Sequence, residues 1–447
     1  MRLALDAALA AAERAAKVTP ADAAEAVVIS QASALTRFAG NRIHQNVAES
    51  DTQIAIRAVL GTQIGVATTN RLDDDALARC ASAAVEAARH APADPDFAGL
   101  PDARPVVGPP RASKATRAFD ADARAAAARA IIDPSVRRGL TAAGTVAMSD
   151  YAVAVSNTCG VSAAAEATDV RATVLSMGQT GGSGWASFLG ADASALDASA
   201  LGEEAADIAE RSANPVELEP GTYTVVLSPE AIAEVLEFVG YLGFGAKSYA
   251  EGSSFLREAL GTTIADGRIT LVDDALDPHM IGLPFDFEGQ PKLATPLIEA
   301  GVARGPATDS YFARTLGLPN TGHALPAPNP YGPLPLNLVM AAGDASVEEM
   351  IGSVERGVYV TRFHYVNVED PMKLVLTGMT RDGTFMIENG QLGRPVRNLR
   401  FTQGMLDAFT HVGAVGRDRQ LIGPGEGGAT LAPWVLFERW EFTGQTG

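Results

Sequence analysis

The sequence predicts an α+β fold in which strands dominate both halves of the chain and helices flank them. Runs of alternating apolar and polar residues, typical of half-buried strands, recur along the chain. Alanine-rich stretches with helical spacing stand between groups of these runs. Proline-dense stretches at 91–112 and 319–335 break both patterns. We therefore expect an N-terminal α/β region of β-meanders with flanking helices, followed by a β-rich C-terminal domain.

The proline-dense stretch at 91–112 and the Asn214-Pro215 dipeptide suggest where the chain divides into domains. Residues 1–98 are expected to form a β-meander plus helix subdomain, and residues 99–112 a Pro-rich linker. Residues 113–214 are expected to form a second α+β subdomain. Residues 215–447 would then form the C-terminal β-rich domain.

The first half begins with a predicted helix at 3–17. Turns at Gly40-Asn41 and Glu49–Asp51 separate short strands, and Asp73 caps a helix that runs to about Ala91. The predicted strands of this first meander are 26–30, 34–38, 42–47 and 52–60.

Two further helices are predicted at 120–132 and 199–213, with strands between 140 and 189. Turns are expected at Ser149-Asp150, at 157–160 and at the glycine-rich stretch 178–184. That stretch lacks the following Lys-Ser/Thr pair of a phosphate-binding loop, so it predicts a hairpin tip.

The central stretch changes its period from two to 3.6 residues. Residues 223–228 alternate as a strand does, and Ser228 is then expected to cap a helix that has Pro229 at its first position. Glu230 suits the positive end of the helix dipole, and Gly240 would end the helix. The predicted apolar face of this helix is Ile232, Val235, Leu236 and Val239.

The second half is predicted to be mostly strand and loop. A short helix follows 251–256, and the irregular excursion at 319–335 interrupts the strands from Ile269 onward. The remaining predicted elements are a capped helix at 344–351, a strand at 357–367, a hairpin with an Asn389-Gly390 turn, and a strand with a helix between 395 and 415.

Composition and charge exclude several classes of function. The 447 residues carry a net charge of −18, and an acidic surface repels the phosphates of nucleic acids. Asp6, Glu13 and Arg14 interrupt the N-terminal apolar run, and no apolar run reaches the ~20 residues that span a bilayer. The two distant cysteines, Cys80 and Cys159, suit a reducing compartment. We expect a cytoplasmic protein that binds neither nucleic acid nor membrane.

The helix that begins at Pro229 resembles the His-Glu-x-x-x-His helix of the TldD/PmbA family of metalloproteases. The Glu of that motif is present as Glu230, while its two histidine positions hold Pro229 and Glu234. The stretch 35–49 resembles the early hairpin of the family. Further pieces follow the order of its C-terminal domain: 346–351, 357–360, 383–390 and 395–399.

The resemblance implies a zinc ion held by two helix histidines and a late cysteine, with the motif Glu as general base. Pro229 has no ligand atom, and Glu234 alone would be a weak ligand. The stretch 421–430 stands where the cysteine is expected and contains none. We therefore expect no catalytic residue, no cofactor and no metal ligand in this chain. Glu230 would be a remnant base or a helix-dipole partner.

Other sites find less support in the sequence. The histidines show no tight ligand spacing, although Asp277 lies two residues before one of them. Gly252-Ser-Ser and Gly352-Ser353 lack the nucleophile elbow. The carboxylate pairs Asp273-Asp274 and Glu348-Glu349 are interpreted as solvated surface. The histidines considered are His44, His279, His323, His364 and His411.

The missing ligands are also the mark of the PmbA (TldE) branch of the family. The resemblance to that branch implies a non-catalytic subunit that pairs with a zinc-bearing TldD-like subunit to degrade small unfolded peptides. Such peptides would be captured by strand addition. Two alternatives stay open: a metallopeptidase with an unrecognised metal site, and a homo-oligomeric peptide-binding protein without hydrolysis.

Overall fold

The structure is a computed structural model that describes residues 2–425 and 428–445. Two β-sheets organise these residues, and the predicted α+β class is confirmed. The helices are α1 (Leu5–Val18), α2 (Asp74–His90), α3 (Lys114–Arg117), α4 (Ala121–Arg137), α5 (Ala198–Arg211), α6 (Pro229–Gly243), α7 (Ala246–Glu251), α8 (Leu256–Ala259), α9 (Ser310–Leu316), α10 (Val347–Gly352) and α11 (Met405–Thr410).

The strands fall into an N-terminal and a C-terminal set. The N-terminal strands are β1 (Ala23–Ala39), β2 (Arg42–Leu60), β3 (Gln63–Thr69), β4 (Thr141–Asn157), β5 (Ser162–Met177) and β6 (Ser183–Gly190). The C-terminal strands are β7 (Gly221–Leu227), β8 (Leu271–Asp273), β9 (Thr295–Glu299), β10 (Val302–Ala303), β11 (Asn337–Met340), β12 (Arg356–Asp370), β13 (Val375–Glu388), β14 (Gln391–Pro395), β15 (Leu399–Gly404), β16 (Val412–Gly425) and β17 (Gly428–Gln445).

The first sheet is antiparallel throughout, with the order β3-β2-β1-β4-β5-β6. The prediction of four short strands between 26 and 60 is wrong, because β1 and β2 are two long strands joined at Gly40-Asn41. The turns predicted at Glu49–Asp51 and Ser149-Asp150 are also wrong. Both stretches lie inside strands. Asp150 has ion-pair partners there, since Arg2 Nε lies 2.7 Å and Arg117 Nε 3.2 Å from its carboxylate.

Strands from both sides of the proline-dense stretch share this first sheet. β1 pairs with β4 from Glu25 opposite Asn157 to Phe38 opposite Gly144. The division of the chain at 99–112 stays a prediction about its organisation. At the end of that stretch, Arg111 donates to the carbonyl oxygens of Ala275 and Asp277, each at 2.9 Å.

Four helices, α1, α2, α4 and α5, pack on one face of the first sheet. Alternate residues of β1 and β4, such as Ala26 and Ala152, face α1 and α2, and Phe38 faces α4. Small side chains allow close packing: a Cβ at Gly202 would lie 2.4 Å from the carbonyl oxygen of Ile131. The opposite face packs on the loop that carries Phe285. No helix within the described ranges combines the length and apolarity needed to cross a bilayer.

The second sheet closes on itself as a barrel. β7 pairs with β12 and β17, and β13 and β15 complete the ring between them. Aromatic rings fill its interior: the centroid of Phe363 lies 4.5 Å from that of Phe401 and 5.5 Å from that of Trp440. The apolar face predicted for α6 packs on this core, and its four side chains are at most 1% exposed.

Arg57 joins the first sheet to a loop from the C-terminal part of the chain. It lies opposite Glu25 in the β1–β2 register, and its Nη2 is 2.9 Å from Glu25 Oε1 and 3.0 Å from Glu288 Oε1. Glu288 belongs to the loop before β9, and its other oxygen accepts from the backbone N–H of Ser310 at the start of α9. Because all three side chains are largely buried, the two carboxylates depend on Arg57 for charge compensation.

Burial raises the pKa of Glu25 to about 7, against the attraction of Arg57, and the charge of Glu288 adds to the shift. Burial and Glu288 likewise raise the pKa of Asp286 to about 7 and that of Asp309 to about 6. At this junction the carboxyl groups of Glu25, Asp286 and Asp309 thus have pKa values raised toward the neutral range.

We expect Arg57→Met to lower the free energy of unfolding by about 3–5 kcal/mol, because it leaves two buried carboxylates without a cation. Arg14→Met is the control. Arg14 pairs with Asp74 at 3.3 Å with both side chains more than half exposed, so its loss should cost no more than about 1 kcal/mol. Urea unfolding followed by circular dichroism measures both. Equal effects of the two substitutions would contradict the role given to Arg57.

We expect Glu25→Gln to change how stability depends on pH. A carboxyl whose folded pKa is raised contributes stability that is fully present below its unfolded pKa and is lost as pH rises through the folded value. Glutamine does not titrate, so between pH 5 and pH 8 the variant should gain about 1–3 kcal/mol relative to the unsubstituted chain. Urea unfolding measures the free energy of unfolding of both chains at each pH. If the difference between them stays constant with pH, this interpretation is wrong.

Candidate functional site around the start of helix α6

The helix that resembles the metal helix of the family begins one residue after β7. Pro229 occupies its first position, as predicted, but the prediction that Ser228 caps it by its side chain is wrong. The Ser228 hydroxyl donates to the carbonyl oxygen of Thr361 in β12, and its backbone N–H donates to Val360 O at 3.0 Å. The hydroxyl thus fastens the strand-to-helix turn to β12.

The predicted end of the helix is wrong as well. α6 continues past Gly240 to Gly243. A Cβ at Gly240 would lie 3.2 Å from a methyl carbon of Leu338, so this glycine permits the close approach of β11. Gly240 therefore serves the packing of α6 against β11 and does not end the helix.

Glu230 lies in the first turn of α6 and binds to the first sheet. Its Oε1 accepts a hydrogen bond from Trp185 Nε1 at 3.2 Å and another from the Ser187 hydroxyl. Both donors belong to β6, the edge strand of the first sheet. The carboxylate that occupies the position of the motif base therefore connects the two sheets.

Further along α6, two more carboxylates follow. Burial raises the pKa of Glu234, and Glu230 adds to the shift, whereas Arg362 and the backbone N–H of Val366 oppose it. Glu237 reaches solvent, but it stands in a concave part of the surface. Loss of hydration there, together with the charges of Glu234 and Glu230, raises its pKa to about 7. Loss of hydration and Glu230 also raise the pKa of Glu204 in α5.

Alternate residues of β6 contact the second sheet. The Arg362 guanidinium carbon lies 4.2 Å from the centroid of the Trp185 ring, and Arg362 Nη1 is 3.6 Å from Asp382 Oδ2. The Ser183 hydroxyl donates to Asp382 Oδ1 at 2.7 Å. Ser183, Trp185 and Ser187 thus face the C-terminal barrel, and a cleft of about 540 Å³ opens beside Ser183 and Asp382.

The sequence did not predict these contacts between β6 and the C-terminal barrel. Trp185, Ser187, Arg362 and Asp382 lie far apart in the chain, and no local pattern relates them. In the sequence, Trp185 directly follows the glycine-rich hairpin tip, and that position does not indicate its partners.

The residues at the motif positions do not fit a zinc ion. Pro229 offers no ligand atom, and one oxygen of Glu230 already accepts two hydrogen bonds. Across residues 2–425 and 428–445, no three His, Cys, Asp or Glu side chains are grouped so that they could hold a metal. The stretch 421–430 is where the cysteine of the family is expected. Its residues 421–425 belong to β16 and its residues 428–430 to β17, while residues 426–427 lie outside the part that the structure describes.

The histidines considered in the sequence have separate partners. His279 Nδ1 is 3.0 Å from Asp277 Oδ1, and His411 Nδ1 is 2.9 Å from the Asp407 carbonyl oxygen. The rings of His364 and Tyr365 lie 4.3 Å apart. His44 lies on the exposed part of β2. They are spread over the molecule and form no common site.

His323 and Asp273 form a fully buried pair. His323 Nε2 lies 2.9 Å from Asp273 Oδ1, and Asp273 Oδ2 accepts from the backbone N–H of Asn337 at 2.8 Å. Burial opposes the charge of Asp273, but His323 outweighs it and lowers the pKa of Asp273 to about 2. The interpretation of Asp273 as solvated surface is therefore wrong, because it joins β8 to the loop before β11.

Comparison with known proteins places the chain in a family. The sequence profile described as PmbA/TldA metallopeptidase C-terminal domain matches residues 220–444, and that described as PmbA/TldA metallopeptidase domain 1 matches residues 24–88. The structure is similar to TldE from Thermococcus kodakarensis, with a TM-score of 0.89, 19% identity and coverage of 97% of this chain and 99% of that one.

Curated relatives match over part of their length. A metalloprotease TldD homolog from Buchnera aphidicola is 26% identical over 226 residues, which are 49% of this chain and 46% of the relative. Metalloprotease PmbA from Escherichia coli O157:H7 is 29% identical over 187 residues, 40% of this chain and 38% of that protein. The match thus spans about half the length of these relatives or less. The profile over 220–444, half of the chain, shows that it belongs to the PmbA/TldD metallopeptidase family.

Proposed function

We propose that this chain is the subunit without a zinc site in a two-subunit metallopeptidase of the PmbA/TldD type. A TldD-like partner would carry the zinc ion and the histidine pair, and the two chains together would degrade small unfolded peptides. The observation that carries the proposal is the first turn of α6. Pro229 stands at a ligand position, and Glu230 is held by Trp185 and Ser187 of the other sheet.

The edge of β12 supports a role in peptide capture. β12 pairs with β7 only from Gly357 to Val360, so in the part of the chain that the structure describes no strand covers its residues 361–370 on that side. α6 lies beside this edge, and the backbone N–H of Val366 acts to lower the pKa of Glu234. An extended peptide can add to such an edge through backbone hydrogen bonds, which tolerate many sequences.

Co-expression with a TldD-like subunit from the same genome tests the partnership. We expect the two chains to co-purify in equal amounts, with about one zinc ion per pair and peptidase activity on short unfolded peptides. The chain alone should bind no stoichiometric zinc.

Two results would favour an alternative function over the proposed subunit role. Zinc bound to this chain alone, with peptidase activity that a chelator removes, would favour an independent metallopeptidase. A partner that does not co-purify and is equally active alone would refute the subunit proposal, and peptide binding by the chain without that partner would then favour a peptide-binding protein.

Glu230→Gln separates a structural carboxylate from a general base. Glutamine keeps an oxygen for the Trp185 and Ser187 donors, so we expect kcat of the co-purified pair to change less than about threefold. Loss of a general base lowers a rate by about 10²–10⁴. The matched control is the same Glu→Gln change in the His-Glu-x-x-x-His helix of the partner, which should abolish turnover. A hundredfold loss from Glu230→Gln would assign catalysis to this chain.

A further inference from the structure

The outer edge of β2 is unpaired over most of its length. β1 pairs with the inner edge of β2 from Arg42 to Val59, whereas β3 covers the outer edge only from Ile54 to Leu60. Among the residues that the structure describes, no strand lies on the outer edge of residues 42–53. This stretch is ~40 Å long at the rise of an extended strand. Its outward N–H and C=O groups form a ready template for another strand.

The register with β1 shows which side chains share a face. Residues 39, 37, 35, 33 and 31 of β1 alternate along one face, and they lie opposite residues 42, 45, 47, 49 and 51 of β2. The register shift between Arg37 and Phe38 makes His44 the extra residue of a bulge. Arg42 therefore shares a face with Glu49 and Asp51. No helix of the part of the chain that the structure describes packs on this face, and a shallow cleft of about 290 Å³ lies over it.

Charge is distributed unevenly along this exposed stretch. Arg42 carries a positive charge at its beginning, Glu49 and Asp51 carry negative charges near its end, and all three are exposed. Half-buried Val47 lies between them. The stretch is thus basic at one end, apolar in the middle and acidic at the other.

We propose that this edge pairs antiparallel with the same edge of a second copy of the chain. A two-fold axis through an antiparallel pair sets one residue opposite its own copy. Val47, in the middle of the unpaired stretch, takes that place. Gln45 then lies opposite Glu49 of the second copy. Because the bulge at His44 moves Arg42 by one place, Arg42 lies opposite Asp51 of the second copy, and symmetry makes each contact twice.

The charges select this arrangement. Edge strands commonly carry charged residues and bulges that prevent pairing with other chains. Here the two ends have opposite signs, so a parallel copy in register would set Arg42 beside Arg42 and Asp51 beside Asp51. An antiparallel copy sets opposite charges together, which stabilises cross-strand pairs. The two first sheets would merge into one, and this pairing is separate from the proposed partnership with a TldD-like chain.

Two variants with opposite charge changes test the pairing. Glu49→Lys with Asp51→Lys makes the edge basic, and Arg42→Glu makes it acidic. Sedimentation should give the unsubstituted chain a mass about twice the 46.3 kDa of one copy. Each variant alone should dissociate, with a Kd about 100-fold higher or more. An equimolar mixture of the two variants should form dimers again, which also shows that both are folded.

The control is Arg14→Glu with Asp74→Lys, a charge change on an exposed ion pair away from the edge, which should leave the dimer intact. A monomeric unsubstituted chain at about 100 µM would overturn the proposal, as would variants that stay dimeric. So would a chain that is monomeric alone and whose edge variants no longer bind the TldD-like subunit, because the edge would then belong to that partner.

Discussion

The two sheets of this protein meet through charged side chains that are removed from water, and this constraint governs the structure around the junction. A buried carboxylate is costly unless a cation and hydrogen bonds compensate it. Arg57 compensates Glu25 from its own sheet and Glu288 from the C-terminal part of the chain. The other oxygen of Glu288 accepts from α9, and the Asp286 carboxylate accepts the N–H groups of Glu288 and Gln290. The guanidinium thus ties this loop to the first sheet, alongside the apolar packing of Phe285.

A second junction of the same kind lies at the start of α6. Glu230 is held by Trp185 and Ser187, while Arg362 lies over the Trp185 ring and approaches Asp382. In a metal-binding relative, a carboxylate at this position would need to face a metal-bound water. Here it accepts hydrogen bonds from a neighbouring sheet. The same helix start therefore serves the contact between two parts of one chain, and this is the observation on which the proposed subunit role rests.

How much of the structure could be predicted from the sequence depends on how far apart in the chain the interacting residues lie. The change of period at 228 located β7 and α6, because alternation and helical spacing are local properties. The same local rules divided β1 and β2 into four pieces, since Glu49–Asp51 have the composition of a turn. The barrel closure and the contacts of Glu230 could not be predicted, because they join residues distant in the chain. The resemblance of 229–237 to a metal helix identified the family, but Trp185 and Arg362 emerged only from the structure.

The closure of the barrel has a consequence for synthesis in the cell. β7 pairs with β17 although the two strands lie about two hundred residues apart in the chain, and β17 also pairs with β11, β15 and β16. Until β17 leaves the ribosome, the apolar residues of β7, α6 and β12 have no closed core to enter. These surfaces have no closing strand while the roughly two hundred residues between β7 and β17 are being synthesised. Exposed apolar surface makes an incompletely folded chain prone to aggregation, so the late arrival of β17 makes the strand-to-helix stretch the vulnerable part of the nascent chain.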